Sequence, residues 1–485
     1  MLKQSRSALC LLLSSLMAMP SFGQNRSYEL PDIGTAAAAT LTIDQEQIYG
    51  DAYMRMIRAS QPIVHDPVLN EYISSLGHQL VAHANDVKTP FRFFMVENRA
   101  INAYAFFGGY IALHSGLFLY TRSESELASV VAHEIAHVTQ RHLARAMEDQ
   151  ANRSPATMAA LVGSLLLAVA NPQAGIAAIT ATQAGAMQSQ INYTRANEKE
   201  ADRFGIVTMA KAGFDPKAMP SFFGRLADEF RYASKPPPML LTHPLPEDRI
   251  TDSRARAQSY PPLRIGPSID FHLAKARVIA RHADLQSEAA LDWMERRLKK
   301  ASAELAPTYK YGKALVYLDT KKLDQAQALL DELIALEPRN NFYLDALSDL
   351  YLYQEKPEKG IEMLKKALDK KPGNSVLTIN YANLLNESKQ YEQAAKVLQR
   401  YTHEHPEDLN GWSLLADAYK YLDRRDEHLA ARGEIFALRA NWQGAIKNYS
   451  DASHLVDLGS LKQARYDARI DQLSIERDRF MALQN

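Results

Sequence analysis

Ser123-Glu124-Ser125-Glu126-Leu127-Ala128-Ser129-Val130-Val131-Ala132-His133-Glu134-Ile135-Ala136-His137-Val138 is the stretch on which the reading of this chain turns. Ser123 and Glu126 match an S-x-x-E capping box, and Leu127, Val130, Val131 and Val138 recur at helical spacing, so a helix is expected here. On a helix, residues four apart sit roughly 40° from one another. His133 and His137 therefore share a face and can grip one metal ion, with Glu134 beside them. His142, five residues beyond His137, is turned roughly 140° from that face and is expected on the solvated surface.

Downstream, Glu198-Lys199-Glu200-Ala201-Asp202 again spaces two chemically useful side chains four apart. A hydrolytic zinc takes three protein ligands and keeps one open position, and Glu198 is the natural third ligand after His133 and His137. Asp202, one turn on, is expected to hydrogen-bond the outer nitrogen of a ligating histidine, with a part in proton transfer. Glu134 is placed to take a proton from the attacking water and pass it to a leaving amine, which is peptide hydrolysis without an acyl-enzyme. The longer zinc pattern H-E-x-x-H-x-x-G-x-x-H is excluded, because Gln140 and Leu143 stand where it needs Gly and His. The proline-stiffened segment Thr242-His243-Pro244-Leu245-Pro246-Glu247-Asp248-Arg249 offers an imidazole and a guanidinium. His243 either donates to the oxyanion of the transition state or takes the fourth metal position, and Arg249 supports the oxyanion or the loop.

These motifs, together with Asn102-Ala103-Tyr104-Ala105-Phe106-Phe107-Gly108-Gly109-Tyr110-Ile111, resemble the M48 family of zinc metallopeptidases. The resemblance implies one Zn2+ per chain and a strand at Asn102, Ala103 and Tyr104 that pairs with an extended substrate. Phe107 stands where the family often has proline, and a plain hairpin is the competing reading of this segment.

Before the metal helix, helical patterns cover residues 44–58 and 67–83, and Phe91 to Val96 reads as a strand. Beyond Pro261-Pro262, Pro338, Pro372 and Pro406 recur every 34 residues, the tetratricopeptide period. Ala314, Ser348, Ala382 and Ala416 supply the small residue of each first helix, and Ala326, Gly360 and Ala394 that of each second helix. Tyr317, Tyr351, Tyr419 and Trp412 fill aromatic positions of the repeat as packing groups. After Pro406 the register weakens, with His428 at the small position and Ala440 at the proline position. Helices at 270–306 are expected as one cap and a charged helix near 459–480 as the other. The expected chain is therefore mainly α: a signal peptide at 1–23, a metallopeptidase domain with a small sheet at 24–262, and a solenoid of tetratricopeptide repeats at 263–485.

Lys3 and Arg6, the apolar run Ala8 to Met19 and Ser21-Phe22-Gly23 have the form of a secretory signal peptide. Cys10, the only cysteine, lies inside it, so the exported chain owes nothing to disulfides. With 56 basic and 56 acidic residues there is no electrostatic footprint for nucleic acid. The 15-residue run Ala156 to Ala170 falls short of the roughly 18 apolar residues of a span. It is expected, with Gly175 to Met187, as a helical hairpin, a peripheral membrane contact being the alternative. The full arrangement resembles exported M48 peptidases of the bacterial periplasm. That implies a part in outer-membrane protein assembly and quality control, with unfolded or misassembled outer-membrane proteins as substrates and the barrel-assembly machinery reached through the repeats. The competing reading is a chaperone or assembly scaffold whose zinc site is latent or structural.

Overall fold

The computed structural model describes residues 41–153, 195–263 and 265–482. The expected signal peptide and the alanine-rich hairpin lie outside the described residues. Helices α1 (Ile43–Ser60) and α2 (Pro67–Val81) open the described chain. Thr42 and Gln45 cap α1 reciprocally, and Asp66 caps α2 by accepting from the Val68 and Leu69 N–H groups at 3.1 Å each.

Three strands follow: β1 (Arg92–Val96), β2 (Ala103–Phe106) and β3 (Tyr110–His114). The order is β1-β3-β2, with β1 parallel to β3 and β2 antiparallel to it in the register Ala103↔Leu113 to Phe106↔Tyr110. The turn from β2 to β3 requires glycine. Gly109 has φ +76°, and a Cβ there would stand 2.0 Å from the Pro90 carbonyl oxygen. Strand β2 thus forms an edge of this sheet, and its inner side is covered by the metal helix α3 (Glu124–Thr139).

Ser123 caps α3 as expected by accepting from the Glu126 N–H. The Glu126 carboxylate accepts from the Arg122 N–H at 2.7 Å and from Arg225, closing the box one residue early. Helices α4 (His142–Arg153), α5 (Arg195–Lys211), α6 (Ala218–Phe230), α7 (Pro238–Thr242) and α8 (Glu247–Gln258) complete this part. Among the described residues no helix is long and apolar enough to cross a membrane.

Beyond residue 268 come α9 (Ile269–Arg281) and α10 (Ser287–Leu298), then, among the described residues, five helix pairs. They are α11 (Ala306–Asp319) with α12 (Leu323–Leu336), α13 (Asn341–Tyr353) with α14 (Pro357–Leu368), and α15 (Ser375–Glu387) with α16 (Tyr391–Glu404). Next are α17 (Leu409–Tyr421) with α18 (Arg425–Leu438), and α19 (Trp442–Ser453) with α20 (Leu461–Ala482). Ala314, Ser348, Ala382, Ala416, Ala326 and Ala394 are all buried where helices meet. At Gly360 a Cβ would sit 2.5 Å from Leu384 Cδ1, which is why that position is glycine. His428, at a small-residue position, is accommodated by a hydrogen bond between its Nδ1 and the Ala416 carbonyl at 2.8 Å. One hydrophobic core runs unbroken from Val64 in the peptidase part through α9 to Val376 in α15. Helix α9 therefore serves both parts, bearing on α2 and on α11.

Candidate metal centre

Helix α3 buries its functional face completely: His133 and Glu134 have no solvent exposure and His137 has 2 %. Helix α5 comes close enough to complete the site because residue 205 is glycine. A Cβ there would meet Met219 Cε at 2.9 Å and the Ala132 carbonyl carbon at 3.4 Å. Glu198 enters from α5, and His243 enters from the end of α7.

His133 Nε2 lies 2.9 Å from His137 Nε2, 3.5 Å from Glu198 Oε2 and 3.3 Å from His243 Nδ1. Glu198 Oε1 lies 3.4 Å from His137 Nε2 and 3.1 Å from His243 Nδ1. Ligands of a tetrahedral zinc at about 2.0–2.1 Å stand roughly 3.3 Å apart, so the spread of these donors fits one such ion. His133, His137, Glu198 and His243 form a group whose ligand atoms all fall within 4.8 Å of one another. The Glu134 carboxylate, by contrast, finds no hydrogen-bond donor for either oxygen among the described residues, and its ionic neighbour is His243 Nε2 at 3.5 Å. A fully buried carboxylate left without a donor is costly and marks a functional group.

Asp202 Oδ1 lies 2.9 Å from His133 Nδ1. It is also clamped by Arg249, whose Nε and Nη2 donate to it at 2.5 and 2.8 Å. The same guanidinium reaches Glu198 Oε2 at 2.6 Å and the Pro244 carbonyl at 2.9 Å, and stacks over Phe223. Arg249 is thus a support of the His243 loop and of two carboxylates, and its Nη2 also lies 3.5 Å from His133 Nε2. Burial alone would raise the Glu198 and Asp202 carboxyls. Facing His243 and Arg249 for the first, and Arg249 for the second, both are held below the usual carboxylate range.

His142 departs from expectation. It is fully buried, its Nδ1 meets His137 Nδ1 at 2.8 Å, and its Nε2 meets Glu200 Oε2 at 3.0 Å. Burial outweighs the Glu200 carboxylate and pushes its pKa down to about 4, so the ring is neutral. The 140° rotation applies only to a continuous helix. Helix α3 ends at Thr139, Arg141 takes φ +53°, and α4 restarts at His142, which swings the ring back behind His137.

Of the expected substrate strand, Ala103 is fully buried and pairs with Leu113, while the Asn102 carbonyl accepts from the His114 N–H at 3.0 Å. Tyr104 is half-buried, its ring edge-on to His114. The Ile101 carbonyl accepts from the Met239 N–H at 3.3 Å, which ties the approach to β2 to the helix that carries His243. Beside Glu198 and Arg249 opens a cavity of about 950 Å³ with Leu240 and Leu245 in its wall.

A helix that presents two imidazoles to converging donors and leaves the intervening glutamate unbonded is built for metal-assisted hydrolysis, and the chain is a metallopeptidase. The family model "Peptidase family M48" matches residues 67–257, and a tetratricopeptide repeat model matches 351–418. A relative in Vibrio cholerae serotype O1 is 65% identical over 480 residues, covering 99% of each chain. The beta-barrel assembly-enhancing proteases of Escherichia coli (strain K12) and Yersinia pestis are 48% and 49% identical. The first alignment covers 97% of both chains, the second 94% of this chain and 93% of its relative. This chain belongs to peptidase family M48, among the beta-barrel assembly-enhancing proteases.

Proposed function

We propose that this chain is a zinc endopeptidase of the periplasm that cleaves unfolded or misassembled outer-membrane barrel proteins and promotes the assembly of others. Its repeats engage the barrel-assembly machinery or its clients. The boundary between the two working parts falls at residues 262 and 263, with α9 belonging to the repeats by sequence and to both parts by packing. The names of the relatives support the client class, and the apolar and polar surfaces of the helix pairs supply the kind of site that repeat arrays use for protein ligands.

In this reading His133 and His137 offer Nε2, and Glu198 its carboxylate, to one zinc ion. The bound ion supplies Lewis acidity toward the scissile carbonyl. Glu134 acts as the general base, taking a proton from water and delivering it to the leaving amine. Asp202 orients the His133 ring, and Arg249 holds Asp202 and the His243 loop. The edge strand at Asn102, Ala103 and Tyr104 pairs with extended substrate. His243, with Nδ1 3.3 Å from His133 Nε2 and 3.1 Å from Glu198 Oε1, would serve as the fourth ligand when the site is closed and would have to leave it for substrate to enter. A latent or scaffolding role for the site draws on that same closure.

The observation that carries the proposal is the unbonded, fully buried Glu134 beside the converging donors. The test is cleavage of casein and of an unfolded barrel protein by wild type, Glu134→Gln and His243→Ala, with metal content measured on each. We expect Glu134→Gln to keep its metal and lose about 10²–10⁴-fold in hydrolysis, and His243→Ala to cleave faster than wild type. Metal-loaded preparations that are all equally inactive would refute the peptidase reading in favour of a scaffold.

A further inference from the structure

Two imidazoles in this centre are held from behind, by different means. His133 leans directly on a carboxylate through Nδ1. His137 leans on a second imidazole, and that imidazole leans on a carboxylate. The direction of the hydrogen bonds follows from the geometry. His137 turns Nε2 toward His133 and Glu198, so a ring that offers that lone pair to a metal carries its proton on Nδ1. The nitrogen facing it at 2.8 Å is His142 Nδ1, which must then be the acceptor. His142 in turn carries its proton on Nε2 and donates it to Glu200 Oε2 at 3.0 Å, an oxygen that Arg145 Nη1 also holds at 3.0 Å. Each ring is left with one tautomer, and the chain ends on a charged acceptor at the half-exposed surface.

The turn that places His142 is itself anchored. Arg141 donates through Nε and Nη2 to Glu46 at 2.8 and 2.5 Å, and through Nη2 to the Leu41 carbonyl at 2.5 Å. Helix α1 thereby fixes the break between α3 and α4.

We propose that His142 and Glu200 are positioning residues that fix the tautomer and orientation of His137 and thereby set the metal affinity of the site. The inference rests on the metal-site reading above and adds to it a relay built on this chain's own residues. Losing a partner behind a metal-bound histidine costs about 10- to 100-fold in affinity.

The test is competition for Zn2+ between the full chain and a chromophoric chelator, for wild type, His142→Phe, His142→Asn and Glu200→Gln. His142→Phe keeps the ring volume and removes the acceptor, and we expect it to bind metal about 10- to 100-fold more weakly. His142→Asn returns an acceptor oxygen close to the position of Nδ1 and should recover most of that loss, whereas a purely structural role for the ring would not be rescued by the smaller side chain. Glu200→Gln, at a half-exposed position that tolerates replacement, should weaken binding by a smaller factor. Wild-type affinity in His142→Phe, or no recovery in His142→Asn, would overturn the inference while leaving the metal site in place. Failure of the wild-type chain to bind zinc would overturn the metal-site reading and this inference with it.

Discussion

Arg277, on α9, is buried between the peptidase part and the repeats, and replacing it by methionine is the strongest available test of how the two are joined. Its Nε meets Asp66 Oδ2 at 2.5 Å, and its Nη1 meets Asp345 Oδ2 at 2.6 Å and Tyr311 Oη at 2.8 Å. The side chains of Arg277, Asp66 and Asp345 are 4, 6 and 4 % exposed. Methionine would fill much of the volume and strand two carboxylates without their counter-charge, a change that costs about 3–5 kcal/mol. The pH dependence gives the test its sign. Burial would raise Asp66, but the Arg277 charge outweighs it and holds the carboxyl well below its usual value. In the wild type its contribution is therefore present above the unfolded pKa, about 3.9, and is lost only as pH falls through the depressed folded value. In Arg277→Met burial prevails at Asp66, its folded carboxyl rises, and the penalty is relieved as pH falls through that higher value. Urea unfolding followed by tryptophan fluorescence should show the full deficit near about pH 7.5 and a smaller one near about pH 5. Adding Asp66→Asn, which preserves the cap of α2, and Asp345→Asn should restore most of the stability, since a neutral replacement of a buried ion pair is often tolerated. A deficit under about 1 kcal/mol, or one of equal size at both pH values, would refute the reasoning.

Gly109→Ala must hold φ near +76° with a Cβ 2.0 Å from the Pro90 carbonyl; we expect a loss of at least about 1–3 kcal/mol, and an unchanged thermal midpoint would contradict the glycine requirement at this turn. His282 lies 3.0 Å from Glu97 and 3.4 Å from Asp66, and although burial opposes its charge these carboxylates raise its pKa. Its contribution should be full below about pH 6.5 and vanish as pH rises through the higher folded value, so the advantage of wild type over His282→Asn should fall across that window; an advantage independent of pH would argue against it.

Much of the metal centre was legible because its residues pair at helical spacing: the ligand candidates His133 and His137, and the ligand candidate Glu198 with its neighbour Asp202. Local periodicity also revealed the repeats, since Ala314, Ser348, Ala382 and Ala416 must all be small for one packing reason. What escaped the sequence were pairings between residues far apart. Nothing near Arg277 announces Asp66, which lies 211 residues away, or says that α9 packs against α2 as well as against α11. The same gap hides the relay behind His137. A helix break is ordinarily signalled by Gly or Asn at the left-handed position, and here the residue is Arg141 at φ +53°, which costs roughly 1–2 kcal/mol in a non-glycine residue. What holds it there is Glu46, 95 residues upstream. The break that carries His142 to the metal ligand is thus specified by an ion pair with another helix, so a reading confined to the local sequence continues α3 through Arg141 and sends His142 into solvent.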